Sequence, residues 1–548
     1  MNKYFSQFGS FRVVILLLMV TLFSCTSVQN YNKKLEQKIP VSKLLKDVNF
    51  VQKNLYKKHP DFDCYTSKEQ LDKSFDSLRA AIQQPLSSRE FYFLISPVIA
   101  QVHQAHMSMI PVFEKNTKKR KKFLKKMGAS PLRFLEYKIV DGKIVVSKNI
   151  SADTTIKIGD QLLSINDIFV EDIFKKYITT LSSDGYNQTG LDFFFAKRIP
   201  SFYRAEIGDV DMATFHFKNE DGAYEKILLR KPKKEKSVVV ADSINNSIKE
   251  TIDSVQNDNE IIAGQKEKLI TKEQEDAEAR KKTIMGYDAS NKEYIRNLTF
   301  LNKDSSLAYL KIISFSHGLY QKAYKEIFET LNDASCNTLV MDLRDNVGGR
   351  AAEIVDLFAY FVDTSFKMYL PSKVSSRTTL LSPGLYKNTS KFLWPVISLY
   401  YPAYVFSRYF WTYKDKDGSY YYSGLKGTKF RKPKDYFFSG KIYLLVNGGT
   451  FSAASLLASR MSSLPNVEIV GEETGGDYNG TVAGILPVYT LPKSKIKWRL
   501  GLMHIKTINQ RSLKGRGVMP DKSLQPTVSD IILKKDTVLD WVKQQQQQ

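Results

Sequence analysis

Leu339-Val340-Met341-Asp342-Leu343-Arg344-Asp345-Asn346-Val347-Gly348-Gly349 reads as a buried strand running into a glycine turn, and Ala351–Phe361 continues it as an apolar helix. Gly348 and Gly349 carry no Cβ, so backbone N–H groups there can face a ligand closely. The helix beginning just beyond adds the positive end of its dipole. These are the parts from which an oxyanion hole is built.

The same plan recurs about 100 residues on. Leu444-Leu445-Val446-Asn447-Gly448-Gly449-Thr450-Phe451-Ser452-Ala453-Ala454 is again strand, glycine turn and helix, with Leu456, Leu457 and Met461 carrying the helix onward. Ser452 opens that helix. A serine at this position has two readings, a nucleophile presented by a tight turn or simply an N-cap, and spacing alone does not separate them.

Read in order, four motifs resemble the signatures of the carboxy-terminal-processing (tail-specific) serine protease family. They are Asp342-Leu343-Arg344 with Asn346 and Gly348-Gly349; Gly449-Thr450-Phe451-Ser452-Ala453-Ala454; Gly471-Glu472-Glu473-Thr474; and Gly515-Arg516-Gly517-Val518-Met519-Pro520-Asp521. Upstream, His59-Pro60 with Gln104-Ala105-His106-Met107-Ser108 is similar to the helical domain of the tricorn-like and bacteroidete branch. The resemblance implies an α+β multidomain chain with an N-terminal helical cap, a small β-rich PDZ-like domain and a crotonase/Clp-protease-like α/β core. It implies Ser452 as nucleophile, with Gly348, Gly349 and the Ala453 N–H at the oxyanion, a peptide or protein as substrate, and neither cofactor nor metal.

The general base has to be sought separately. In the Ser/Lys branch a lysine follows the Gly-Glu-x-Thr element, whereas here Thr474-Gly475-Gly476 runs into Asp477. His106 matches the histidine of the tricorn-like branch, and an imidazole with an ordinary pKa near 6.5 accepts a serine proton at neutral pH. A structural or surface histidine is the plainer reading of the same residue. Gln104-Ala105 stands where Asp-Gly is usual, and Lys514 where tricorn-type enzymes carry an acid. Glu472, Glu473 and Asp477 are the candidate acids for orienting His106, with no ground in spacing to prefer one. His103 and His106, at i and i+3, would share a helical face and invite a metal reading, but no HExxH motif or cysteine joins them.

Around this core the chain divides into a signal segment 1–24, a helical domain 25–128, a PDZ-like domain 129–230, a charged linker 231–296, the catalytic core 297–530 and a tail 531–548. The PDZ-like reading rests on Gly159-Asp160-Gln161-Leu162-Leu163-Ser164-Ile165-Asn166, similar to the Gly-Asp strand-turn-strand of peptide-binding PDZ domains. Lys3 and Arg12 precede an apolar run from Val13 to Phe23 that is too short to span a bilayer and reads as a signal h-region. Leu22-Phe23-Ser24-Cys25 resembles a lipoprotein cleavage box, which makes Cys25 the expected lipidation site and the cell envelope the expected location. Cys64 and Cys336 allow at most one disulfide.

Composition narrows the partners. A chain of 548 residues, 43% hydrophobic and 25% charged, is a folded multidomain protein rather than a disordered or polytopic membrane chain. Its net charge of +24 is concentrated in basic runs at 115–126, 230–236 and 426–434. With no nucleic-acid module in the sequence, an anionic membrane surface beside a lipid anchor is the expected partner of that charge. Phe392 to Trp411, dense in aromatics, falls outside the family pattern, and Pro395, Pro402 and Arg408 argue against a spanning helix. The competing class is an inactive envelope protein that holds a peptide or lipid on the same fold.

Overall fold

The computed structural model describes residues 28–230, 273–381 and 393–546; the expected signal segment, Cys25 and the linker residues 231–272 lie outside them. Among the described residues the central sheet runs in the order Arg296–Phe300, Leu307–Ile312, Thr338–Asp342, Lys441–Val446, Val467–Gly471, Lys522–Ser523. The first pair is antiparallel and every later pair parallel. Strand residues alternate between two cores. Leu310, Met341, Leu444 and Ile469 pack on the side that also holds Tyr324, Ile354 and Leu457 from the three helices Tyr320–Asp333, Ala351–Phe358 and Ala453–Met461. Leu307, Val340, Leu445 and Val470 meet Val538 and Val542 on the other. Thr338–Asp342 is buried at every residue, as a parallel strand covered on both faces must be.

The second cover belongs to a helix, Thr537–Gln545, inside what the sequence reads as a polar tail. Asp536 caps it by accepting the Leu539 N–H, and Val538 and Val542 supply its inward face. Two apolar residues four apart beside a run of glutamines are too short a pattern to announce a helix.

The amino-terminal part consists of the helices Val41–Lys58, Lys68–Ala81 and Ser88–Ala100, the last opened by a capping box between Ser87 and Glu90. It is tied to the core by strand pairing, Ser108–Ile110 lying antiparallel to Lys497–Arg499. Asp47, buried on the first of these helices, accepts the backbone N–H groups of Lys493 and Ser494. The basic stretch after it is a helix, Lys118–Met127, with no buried residue, as ten residues so rich in lysine require.

Between 129 and 230 the strands Leu135–Val140, Lys143–Asn149, Gln161–Ile165, Met212–Asn219 and Gly222–Leu229 form an antiparallel sheet in chain order. The Gly159-Asp160 turn is closed by the Asp160 carboxylate, which accepts the Lys157 N–H and the Tyr224 hydroxyl. Two helices, Val170–Ile178 and Gln188–Ile207, accompany the sheet. The second begins at the catalytic core: Asn187 donates to the Thr474 carbonyl and Thr189 to that of Glu473.

Candidate active site

The two glycine turns seen in the sequence lie side by side. Asp342 and Arg344, at the end of the buried strand, form an ion pair that Arg344 extends to Asp536 of the C-terminal helix cap. The turn beyond is held by Asn346, whose side chain donates to the Ile312 carbonyl and accepts the Gly348 N–H, while its own carbonyl accepts the Phe451 N–H. That last bond fixes the first turn to the residue before Ser452. Gly348 allows no side chain, since a Cβ there would sit 2.8 Å from the Ala453 nitrogen and the Ser452 Cβ.

Ser452 has φ 56° and ψ −120°, a conformation a non-glycine residue adopts only when its surroundings enforce it. Its hydroxyl makes no N-cap bond to the helix it opens. Instead Oγ lies 3.0 Å from Nε2 of His106. The N-cap reading of Ser452 therefore fails, and the serine is turned outward from its helix toward a base.

His106 sits in the loop between helix Ser88–Ala100 and the strand at Ser108, held from several directions. Its ring stacks on Phe451 with centroids 4.6 Å apart, its carbonyl accepts Arg499 Nε at 2.8 Å, and Nδ1 lies 3.0 Å from the Thr481 hydroxyl. With the ring proton on Nδ1 donated to Thr481, Nε2 is free to accept the Ser452 hydroxyl. Burial, assisted by the Arg499 cation, pulls the His106 pKa down to about 3, so the imidazole is neutral at pH 7.

None of the three acids expected to orient His106 makes a hydrogen bond to it. Glu473 pairs with Arg516 and accepts the Gly517 N–H, which locks the third motif to the fourth. Asp477 accepts the Tyr65 hydroxyl and the Asn479 and Gly515 N–H groups, so its oxygens serve the loop. Glu472 has its pKa raised by burial and no ion-pair partner among the described residues. The residue on Nδ1 is Thr481, from the short buried strand Thr481–Ala483.

Behind Thr481 lies a carboxylate that sequence reasoning missed. Asp184 is 1% exposed; Oδ1 accepts the Ala105 N–H at 2.8 Å, whereas Oδ2 is buried without a hydrogen bond. Burial raises its pKa to about 7, against the opposing pull of the Ala105 N–H and the Thr481 hydroxyl. An acid in the turn Ser183-Asp184-Gly185 was the only available signal, and it lies 78 residues from His106 in sequence.

Of the expected oxyanion donors, the Gly348 N–H is taken up by Asn346. No hydrogen bond occupies the N–H of Gly349 or Ala453 among the described residues. His103 does not share a helical face with His106. The helix ends at Ala100, His103 adopts φ 53°, and its ring lies beside Tyr186. Cys64 and Cys336 are both free thiols.

Residues 306–524 match the family described as Peptidase family S41. No curated protein matches the chain significantly. Among solved structures, mature CPAF is similar with TM-score 0.56 and 13% identity, covering 90% of this chain and 94% of that one. Mature CPAF complexed with lactacystin gives TM-score 0.56 and 14% identity over 92% of this chain and 98% of that one. A photosystem II D1 C-terminal processing protease gives TM-score 0.40 and 13% identity over 88% and 93%. At such identities the CPAF structures show a shared fold.

Proposed function

We propose, from the match of residues 306–524 to Peptidase family S41, that the protein is a serine-type peptidase that cleaves peptide bonds near protein C-termini with Ser452 as nucleophile and His106 as general base. The observation that carries the assignment is the 3.0 Å approach of Ser452 Oγ to His106 Nε2, made by a serine in a strained turn. In the first step Oγ attacks the peptide carbonyl carbon and its proton passes to Nε2. The carbonyl oxygen becomes an oxyanion facing the N–H groups of Gly349 and Ala453. The C–N bond then breaks as Nε2 returns the proton to the amine, and water releases the acyl group by the reverse sequence. Thr481 holds the imidazole in the required tautomer, with Asp184 behind it.

Lipidation at Cys25 and an envelope location belong to the same proposal, supported by the Leu22–Cys25 box. The Gly159-Asp160 turn and its antiparallel sheet support a PDZ-like domain that captures the substrate's extended tail. The basic surface supports contact with anionic lipid. An inactive binding protein is not favoured, because binding alone requires neither the strained serine nor its histidine.

Covalent labelling tests the nucleophile. A fluorophosphonate probe is expected to modify the native chain at Ser452, located by peptide mass analysis. Labelling elsewhere, or full peptidase activity in Ser452→Ala, would overturn the assignment.

A further inference from the structure

The aromatic segment that the family pattern does not absorb is a helix, Trp394–Phe410, and none of its 17 residues is buried. One face meets the protein: Tyr404 donates its hydroxyl to the Leu380 carbonyl, and Arg408 contacts the Tyr422 hydroxyl. The other face is apolar and open. Val396, Leu399, Phe406 and Phe410 are 54%, 77%, 63% and 66% exposed, and Tyr400 between them is 67% exposed. Arg408 is the only charged residue in the helix and it turns inward. A soluble protein seldom leaves such a continuous apolar stripe to water, and the usual reason is a partner that covers it.

What flanks the stripe identifies the partner. Lys429 lies 4.2 Å over the Trp411 ring and Lys367 lies 4.6 Å over Phe430, itself 68% exposed. Arg431, Lys432 and Lys434 follow directly in the chain. Aromatic rings interleaved with cations beside an apolar helix match the layered chemistry of a lipid surface, with acyl chains below and anionic headgroups above. No described helix is long and apolar enough to cross a membrane, so the geometry is that of a helix lying flat.

We infer that helix Trp394–Phe410 is a membrane-interface element that inserts its Val396–Leu399–Phe406–Phe410 stripe among the acyl chains of an anionic phospholipid surface, seating the peptidase on the membrane independently of the Cys25 anchor. The inference rests on the helix and its cations and is separable from both the peptidase and the lipidation readings.

The test uses the full chain carrying Cys25→Ala and vesicles of brominated phosphatidylglycerol. Tryptophan is absent from residues 1–393, Trp498 is fully buried and the partly buried Trp541 is replaced by Phe in every sample, so fluorescence quenching by bromine reads the depth of this helix rather than any insertion of the N-terminal apolar run. Quenching is expected with phosphatidylglycerol and much less with brominated phosphatidylcholine. Leu399→Glu/Phe406→Glu should weaken the vesicle affinity at least about tenfold while hydrolysis of a soluble peptide continues at the parent rate, which shows that the variant is folded. Equal quenching by both lipids, or equal quenching of parent and variant, would overturn the inference. So would a lipid-free shift from dimer to monomer in the variant, because the stripe would then be covered by a second copy of the chain.

Discussion

At the scale of single residues, the candidate site consists of a neutral imidazole beside Ser452 and the groups that keep it neutral. Thr481→Val removes the acceptor of the Nδ1 proton with little change in volume, so kcat should fall about 10- to 100-fold with KM nearly unchanged. A rise in KM instead, with kcat intact, would show that Thr481 does not position the imidazole. Arg499 is the cation that opposes protonation of His106. Burial is the larger cause of the shift and stays in place, so replacing Arg499 with Gln should raise the imidazole pKa only part of the way from about 3 and move the acid limb of kcat/KM to higher pH. An acid limb that stays in place would remove Arg499 from the account. Ser452 and His106 were legible in the sequence because glycine turns and an ordered motif set surround them. Thr481 was not, because a lone threonine on a three-residue strand carries no pattern and only folding places it against a histidine 375 positions earlier. The acids Glu472, Glu473 and Asp477 drew attention for their charge, but each is committed to its own loop or left aside.

At the scale of elements, the site depends on the two strand–turn–helix units being tied together. The bond from Phe451 N–H to the Asn346 carbonyl is one tie, and the parallel pairing of Thr338–Asp342 with Lys441–Val446 is the other. Both strands and both turns could be read from sequence because buried strands and paired glycines are strong local signals. The second cover of the sheet could not, since the helix Thr537–Gln545 is defined by tertiary burial more than by its own pattern. Its role can be measured. Val542 is fully buried against the sheet, so Val542→Ala should cost about 2 kcal/mol of stability. Activity at low temperature should persist, since Val542 touches no catalytic group. A substitution at Gly349 should behave differently: a Cβ there would lie 2.2 Å from the Phe315 carbonyl oxygen at a φ of +145°. Gly349→Ala is therefore expected to lose activity even where soluble protein is recovered, because the oxyanion turn must move to accommodate it. A Gly349→Ala enzyme with parent kcat would show that this turn does not hold the oxyanion.

At the scale of the whole molecule, the buried histidines set how stability responds to acid. His59 and His106 are both held to about 3, chiefly by burial, and His504 is lowered by the same cause despite its 2.5 Å contact with Asp61. In the unfolded chain each returns to about 6.5. As pH falls below 6.5 the unfolded state therefore takes up protons that the native state refuses, and native stability declines until the folded pKa values are reached. Asp184 works in the opposite sense: with its pKa raised to about 7, its contribution is complete below its unfolded value and is lost as pH rises toward 7. Burial raises Asp192, Glu472 and Asp477 in the same sense as Asp184 and lowers His103 along with the other imidazoles; the imidazoles set the sign, because His59 and His106 each stand about as far from their ordinary value as Asp184 alone among the carboxyls does from its own. The net expectation is a melting temperature that falls steadily from pH 6.5 to pH 4.5. His59 isolates one share of that slope. Its Nε2 is buried without a hydrogen bond, it lies outside the Ser452–His106 pair, and phenylalanine removes the titrating group while keeping a ring in the cavity. His59→Phe should flatten the decline in melting temperature between pH 6.5 and pH 4.5 and leave peptide hydrolysis at pH 7.5 close to the parent rate. A parent protein whose melting temperature is constant over that range, or a His59→Phe variant with the parent's slope, would show that acid enters the fold through other groups.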